Sequence, residues 1–155
     1  MQIYIFGSNI LREKISRRGA EFAELYFKKF MKENDITGAL IDIFIKVHSR
    51  LGPGLLESIY EEVICYELKN RNLNFKRQEG IEVFYDGNKM DIGFRADIIV
   101  EDKIIVEIKS VEALAPVHHK QLLTYLKLTD KKVRLLVNFN VNLVKDGIVR
   151  IVNNF

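Results

Sequence analysis

Residues 95–109 read Arg-Ala-Asp-Ile-Ile-Val-Glu-Asp-Lys-Ile-Ile-Val-Glu-Ile-Lys. Two short β-branched runs, 96–100 and 104–108, flank a polar corner at Glu101-Asp102-Lys103. That pattern predicts a hairpin of two strands buried on both faces. Asp97, Glu107 and Lys109 interrupt it, and an unpaired charge in a sheet centre costs roughly several kcal/mol. Side chains alternate along a strand, so Glu107 and Lys109 share one face while Ile104, Val106 and Ile108 share the other. A three-residue turn at 101–103 sets Asp97 opposite Glu107, and Arg95 opposite Lys109. A two-residue turn would send the two carboxylates to opposite faces. Opposed carboxylates about 5 Å apart repel unless a proton or a cation lies between them. Oxygen donors of this kind suit Mg²⁺ or Mn²⁺, and a lysine two residues on can hold or help deprotonate an attacking water.

The rest of the chain bounds the options. At 155 residues with a net charge of +3, it is expected to form one domain with an appendage. The weak positive charge permits a nucleic-acid partner without requiring one. A single cysteine, Cys65, excludes a disulfide framework and a cysteine zinc site, and suits a reducing cytoplasm. No apolar run reaches membrane-spanning length. Residues 1–33 carry Leu11, Ile15, Phe22, Leu25, Tyr26 and Phe30 at helical spacing among many Arg and Lys. They are expected to form an amphipathic helical extension. It would dock on the domain, on a second copy or on a partner protein, or serve as a basic arm for a phosphate backbone.

Asn34 and Asp35 mark a helix start, and Ile36, Leu40, Ile43, Phe44, Val47 and Leu51 give its apolar stripe up to Gly52-Pro53-Gly54. His48 borders that stripe as a structural or surface residue. A second helix is expected over about 55–70, burying Ile59, Val63, Ile64 and Leu68. Gly54, Glu57 and Tyr60 lie along one side near its start. Glu57 also has an ordinary explanation there, since carboxylates favour helix N-termini. Alternating strands follow, with Asp86-Gly87 as a two-residue hairpin and Gly93 as a bulge mark. After Lys109 the chain is expected to cross over into a helix over about 117–128, with Gln121 and Tyr125 on one face and His118 and His119 before them. A buried strand follows at 133–139, and a weaker pair around Asp146-Gly147 closes the chain. These elements make an α/β fold, a central mixed sheet flanked by helices.

The order Glu57, Asp97, Glu107-Ile108-Lys109, Gln121 and Tyr125 resembles that of exonuclease-like members of the PD-(D/E)XK nuclease superfamily. Within it, Gly52-Pro53-Gly54-Leu55-Leu56-Glu57-Ser58-Ile59-Tyr60 resembles the motif that names the GxxExxY proteins. Tyr85-Asp86-Gly87, Arg95-Ala96-Asp97, Pro116-Val117-His118, Gln121-Leu122-Leu123 with Tyr125, and Asn138-Phe139-Asn140 are similar to that family in order and spacing. The resemblance covers about 35–152 and leaves residues 1–33 outside, with the domain at 34–155.

It implies a restriction-endonuclease-like core that hydrolyses phosphodiesters, most naturally in DNA, by a metal-activated water. Asp97, Glu107 and the Ile108 carbonyl would be ligands for Mg²⁺ or Mn²⁺, with Lys109 beside the water. Glu57 would hold a second metal or its water. Gln121, Tyr125, Arg95 and His118 are candidate substrate contacts, with Lys76, Arg77, His119, Lys120 and Lys127 as weaker ones. The competing reading is a non-cleaving nucleic-acid- or protein-binding module on the same fold.

Overall fold

The computed structural model describes residues 19, 31–90, 93–118, 120, 123 and 131–153. All but the first three of these positions belong to a compact unit that begins at Glu33. The expected helical extension, His119, Gln121, Tyr125 and Lys127 lie outside the described residues.

Helix α1 (Glu33–Leu51) starts within two residues of the expected Asn34-Asp35 signal. It buries Ile36, Leu40, Ile43, Phe44 and Val47, as the stripe predicts, but leaves Leu51 37% exposed. Each such side chain taken from water contributes about 1.5–3 kcal/mol. The helix stops where Gly52 takes a left-handed φ of +74° and its N–H closes on the His48 carbonyl at 2.8 Å. His48 is structural: it is buried, its Nε2 meets the Val141 carbonyl at 2.8 Å, and its ring stacks on Phe139.

Helix α2 (Glu57–Asn70) begins two residues later than expected, and its buried face is rotated from the one the sequence suggested. Tyr60, Glu61, Ile64, Cys65, Glu67 and Leu68 are buried, whereas Ile59 is 40% exposed. A ring stack and polar anchors hold the rotated face. Tyr60 stacks on Phe139, Glu67 binds Lys46 at 2.6 Å, and Glu61 accepts from Arg77 and Gln78. Cys65 is a core thiol, its pKa pushed up to about 11 chiefly by burial.

The strands are β1 (Phe75–Ile81), β2 (Phe84–Tyr85), β3 (Asn88–Lys89), β4 (Phe94–Val100), β5 (Ile104–Lys109), β6 (Val133–Asn138) and β7 (Ile148–Val152). Five of them form one sheet in the order β1-β4-β5-β6-β7, and β2-β3 form a separate ribbon. Among the described strands only the β5–β6 pair is parallel, so the chain must cross over between them. Helical residues at 116–118, 120 and 123 lie on that crossover. Every residue of β6 is buried, as a strand covered on both faces requires. This is the mixed, helix-flanked α/β sheet that the sequence predicts.

Asp86 and Gly87 form the β2-β3 turn with φ of +49° and +77°, the doubly left-handed conformation that an Asp-Gly pair favours. Two local expectations change. Gly93 is required by close approach, because a Cβ there would overlap the Ile81 carbonyl across the β1–β4 pair. The pair expected around Asp146-Gly147 is instead a 3-10 turn (Val144–Gly147) that leads into β7, which returns antiparallel along β6.

The space beside two glycines predicts different outcomes for them. Gly93→Ala should lower unfolding free energy by about 2 kcal/mol in urea titration. Gly80→Ala, whose added methyl meets nothing within 4 Å, should stay within about 0.5 kcal/mol of the parent.

Candidate active site

The β4–β5 pairing runs Val100↔Ile104, Ile99↔Ile105, Ile98↔Val106. The loop is therefore the three residues 101–103, and one further step sets Asp97 opposite Glu107. There a side chain takes over from the backbone ladder: Asp97 Oδ2 accepts the Ile108 N–H at 2.8 Å. Glu107 and Lys109 follow on the same face, with Lys109 Nζ 3.3 Å from Glu107 Oε1. Arg95 pairs with Gly80 across β1, but the β4–β5 ladder does not extend to it.

Burial, and then the neighbouring Glu107 charge, push the Asp97 carboxyl up to about 6 against the opposing pull of the Ile108 N–H. Burial alone would lower the Lys109 pKa. The carboxylates of Glu107, Glu57 and Asp97 outweigh it and hold the ammonium above its ordinary value. Lys109 is thus a firmly protonated donor in the ion-free protein, suited to orienting a water rather than to deprotonating one.

Glu57 reaches this cluster from a braced turn. Gly52 and Gly54 have φ of +74° and +89°, which suits glycine. The Tyr60 hydroxyl donates to the Gly52 carbonyl at 2.7 Å and accepts the Leu55 N–H at 3.1 Å, so it clamps the turn. Its ring stacks on Phe139 at 4.2 Å, and the Phe139 N–H bonds the Lys109 carbonyl at 2.8 Å. Glu57, the first residue of α2, accepts the Ser110 N–H at 3.1 Å. A cleft of about 490 Å³ opens there, lined by Gly54, Leu56, Glu57, Ser58, Ser110 and Asn140.

Three residues that sequence reasoning missed shape the site. Arg134, 1% exposed, donates from Nη2 to Glu107 Oε2 at 2.6 Å. Buried Asn138 holds the chain leaving β5: its Oδ1 accepts the Val111 N–H at 3.1 Å, and its Nδ2 donates to the Val111 carbonyl at 2.8 Å. Buried Glu61 adds negative charge facing Asp97 while binding Arg77 at 2.9 Å and Gln78 at 2.6 Å. Two of the three carry a sequence signal: Glu61 lies four residues after Glu57 on the same helical face, and Asn138 opens the Asn138-Phe139-Asn140 motif.

The expected substrate contacts are placed unevenly. Arg95 is exposed and lines a separate cleft of about 380 Å³ with Lys89. His118 accepts the Ala115 N–H on Nδ1 at 3.1 Å, which leaves Nε2 as the protonated nitrogen of the neutral ring. Arg77 is committed to Glu61 and Glu62, and Lys76 lies near Glu79 and Asp102.

Among the described residues, no group of three or more His, Cys, Asp and Glu side chains is gathered closely enough to hold a metal ion. Asp97 and Glu107 stand as a pair, and Glu57 comes in from α2 through its bond to the Ser110 N–H. The pair itself fits a hard cation. It offers oxygen donors only, and Asp97, whose carboxyl is raised first by burial and then by the Glu107 charge, is a group whose ionised form a cation would favour. One or two carboxylates plus water is also the usual protein share of Mg²⁺ coordination.

A family model described as the PD-(D/E)XK nuclease superfamily matches residues 34–151. This chain belongs to that superfamily. Its Asp97 and Glu107-Ile108-Lys109 stand in the order the superfamily's name spells, on adjacent antiparallel strands. No curated protein matches the chain. Among solved structures, it is similar to one described as the crystal structure of SSO0001, with 24% identity and a TM-score of 0.41. That similarity covers 89% of this chain and 60% of the other, so the nuclease-superfamily chain spans less than two-thirds of that protein. No helix among the described residues is long and apolar enough to cross a membrane.

The raised Asp97 pKa has a testable sign. Its contribution to stability is complete below about pH 4, near the ordinary value of 3.8, and is lost as pH rises through about 6. In chelator, the advantage of the parent over Asp97→Asn in unfolding free energy should shrink between pH 4 and 7. An advantage that grows over that interval would contradict the assignment.

Proposed function

We propose that this chain is a divalent-metal-dependent nuclease of the GxxExxY type, cleaving phosphodiester bonds in DNA inside the reducing cytoplasm. The observation that carries the reading is the β4–β5 register, which turns Asp97, Glu107 and Lys109 to one face of the sheet. The superfamily match supports the nuclease class. The motif around Glu57 and Tyr60 supports the narrower family, and the lone buried thiol suits the compartment.

When bound, Mg²⁺ or Mn²⁺ supplies charge neutralisation at a non-bridging phosphate oxygen and acidifies water. Asp97 and Glu107 would hold it, with the Ile108 carbonyl beside them. Asp97 is already oriented by the Ile108 N–H. Lys109 donates a hydrogen bond that aims the attacking water, its charge balanced by Glu107 and Glu57. Glu57, fixed by the Ser110 N–H, would act through water or on a second ion. Substrate phosphates would meet His118 through Nε2, Arg95 at the start of β4, and Gln121 and Tyr125 on the crossover. Residues 1–33 would add a helical extension that binds a second copy or a partner protein.

One observation favours the alternative of a non-cleaving binding module: both Glu107 oxygens are already met by cations, Lys109 and Arg134. Cleavage assays decide between the two. With plasmid and single-stranded DNA in Mg²⁺ or Mn²⁺, the parent should nick or degrade DNA and chelator should stop it. Lys109→Ala and Glu107→Ala should each lose at least about 10²-fold in rate while keeping a cooperative unfolding transition. DNA binding that ignores chelator, with no cleavage, would establish the module. Parental rates in both variants would show that the site is misassigned.

A further inference from the structure

Val133-Arg-Leu-Leu-Val137 is an apolar run broken by one arginine, and that arginine is 1% exposed at the sheet centre. Burying a guanidinium is costly unless an anion receives it. The β5–β6 pairing explains which anion does. Ile105 lies opposite Arg134 and Glu107 opposite Leu136, so Arg134 and Glu107 share a face one diagonal step apart. The guanidinium donates to Glu107 Oε2 at 2.6 Å and lies 5.7 Å over the Phe94 ring. Lys109 takes Oε1 of the same carboxylate at 3.3 Å. Two cations therefore hold the two oxygens of the single Glu107 carboxylate before any metal arrives.

We infer that Arg134 is a resident counter-cation of Glu107 that competes with the divalent ion for this carboxylate, holding metal affinity low in the free protein. The inference rests on the metal-dependent reading above. Arg134 touches no reacting atom, so it is a positioning residue that acts through Glu107. Removing it has two opposed effects on metal binding. Glu107 loses a partner that fixes its orientation, which weakens binding. It also loses a positive charge at ion-pair distance, which strengthens binding. Repulsion between a guanidinium and a divalent ion in a half-buried site exceeds the rotational freedom of one short side chain, so the charge effect wins.

The test is Mn²⁺ binding to the full chain without nucleic acid, followed by calorimetry and by the electron spin resonance of free Mn²⁺. Arg134→Gln and Arg134→Met should each tighten binding by at least about tenfold. Arg134→Lys, which keeps the charge, should stay within about threefold of the parent. Unchanged or weaker binding in folded Arg134→Gln, beside a parent that binds, overturns this inference alone. No Mn²⁺ binding by either chain at roughly millimolar ion overturns this inference and the metal-dependent reading together. Should the neutral variants fail to fold, the parent still decides. During a Mg²⁺ titration the Arg134 guanidinium nitrogen resonances should shift and saturate with the ion. If they stay fixed while the Asp97 carboxyl resonance moves, the inference is overturned.

Discussion

The loop between β4 and β5 sets the phase of every charged side chain in the cluster. Glu101 and Asp102 both adopt left-handed φ, near +50° and +53°, a conformation that disfavours residues with a Cβ. The loop is held from outside. The Glu101 carboxylate accepts the Asn74 N–H at 2.7 Å and its side-chain amide at 3.2 Å, and the Asn74 carbonyl receives the Glu101 N–H at 2.8 Å. Lys103 closes the turn on the Val100 carbonyl at 3.0 Å. Losing one residue here would turn Glu107 and Lys109 away from Asp97, because a strand's side chains alternate with period two. An exposed Glu–Asn contact distant from the chemistry thus fixes the geometry of the chemistry.

Once the register is set, the sheet has to accommodate the charges it has gathered. Glu107 is divided between Lys109 and Arg134, Glu61 between Arg77 and Gln78, and Glu67 takes Lys46. Such pairs add little net stability; breaking the buried Glu107–Arg134 pair by removing one partner costs about 3–5 kcal/mol, and the half-exposed Arg77 and Lys46 pairs are screened and worth less. Their effect is to specify: each carboxylate has one geometry that satisfies it, so α2, β1, β5 and β6 are aligned by polar contacts as well as by apolar ones. Asp97 is the exception. It has a backbone N–H and, among the described residues, no cation at ion-pair distance, and its carboxyl is pushed up to about 6. A neighbourhood balanced everywhere except at one carboxylate is a common signature of a functional centre.

What the sequence revealed, and what it hid, divide along contact range. The hairpin register was legible because 96–100 and 104–108 leave a three-residue polar corner, and period-two alternation does the rest. The GPG stop and the Asp86-Gly87 turn were legible because glycine's freedom there is local. The rotation of α2 was not: Ile59 fits the apolar stripe as well as Tyr60 does, and the choice was made by Phe139, far along the chain. Arg134 was hidden for the same reason, since its partner Glu107 lies 27 residues away across a parallel pair. Asn138 stood in a quoted motif, yet its work of holding Val111 appears only once β6 lies beside the exit of β5.

That distribution explains the spacing of Gly54, Glu57 and Tyr60. A glycine turn alone would leave the first residue of α2 loosely placed, because Leu56 at the helix N-cap supplies no side-chain hydrogen bond. The Tyr60 hydroxyl replaces the missing cap, binding the turn on both sides of Pro53 through Gly52 and Leu55. Its ring carries the constraint onward to Phe139, whose N–H holds the Lys109 carbonyl. Glu57 and Lys109 are thereby referred to one rigid stack, although they come from a helix and a strand with the whole of β1 to β4 between them. A three-residue step puts Glu57 and Tyr60 on the same side of the helix, so fixing the tyrosine fixes the glutamate. The tyrosine of the motif is thus accounted for without any contact to substrate: it is the means by which a helix start is aligned to a strand end.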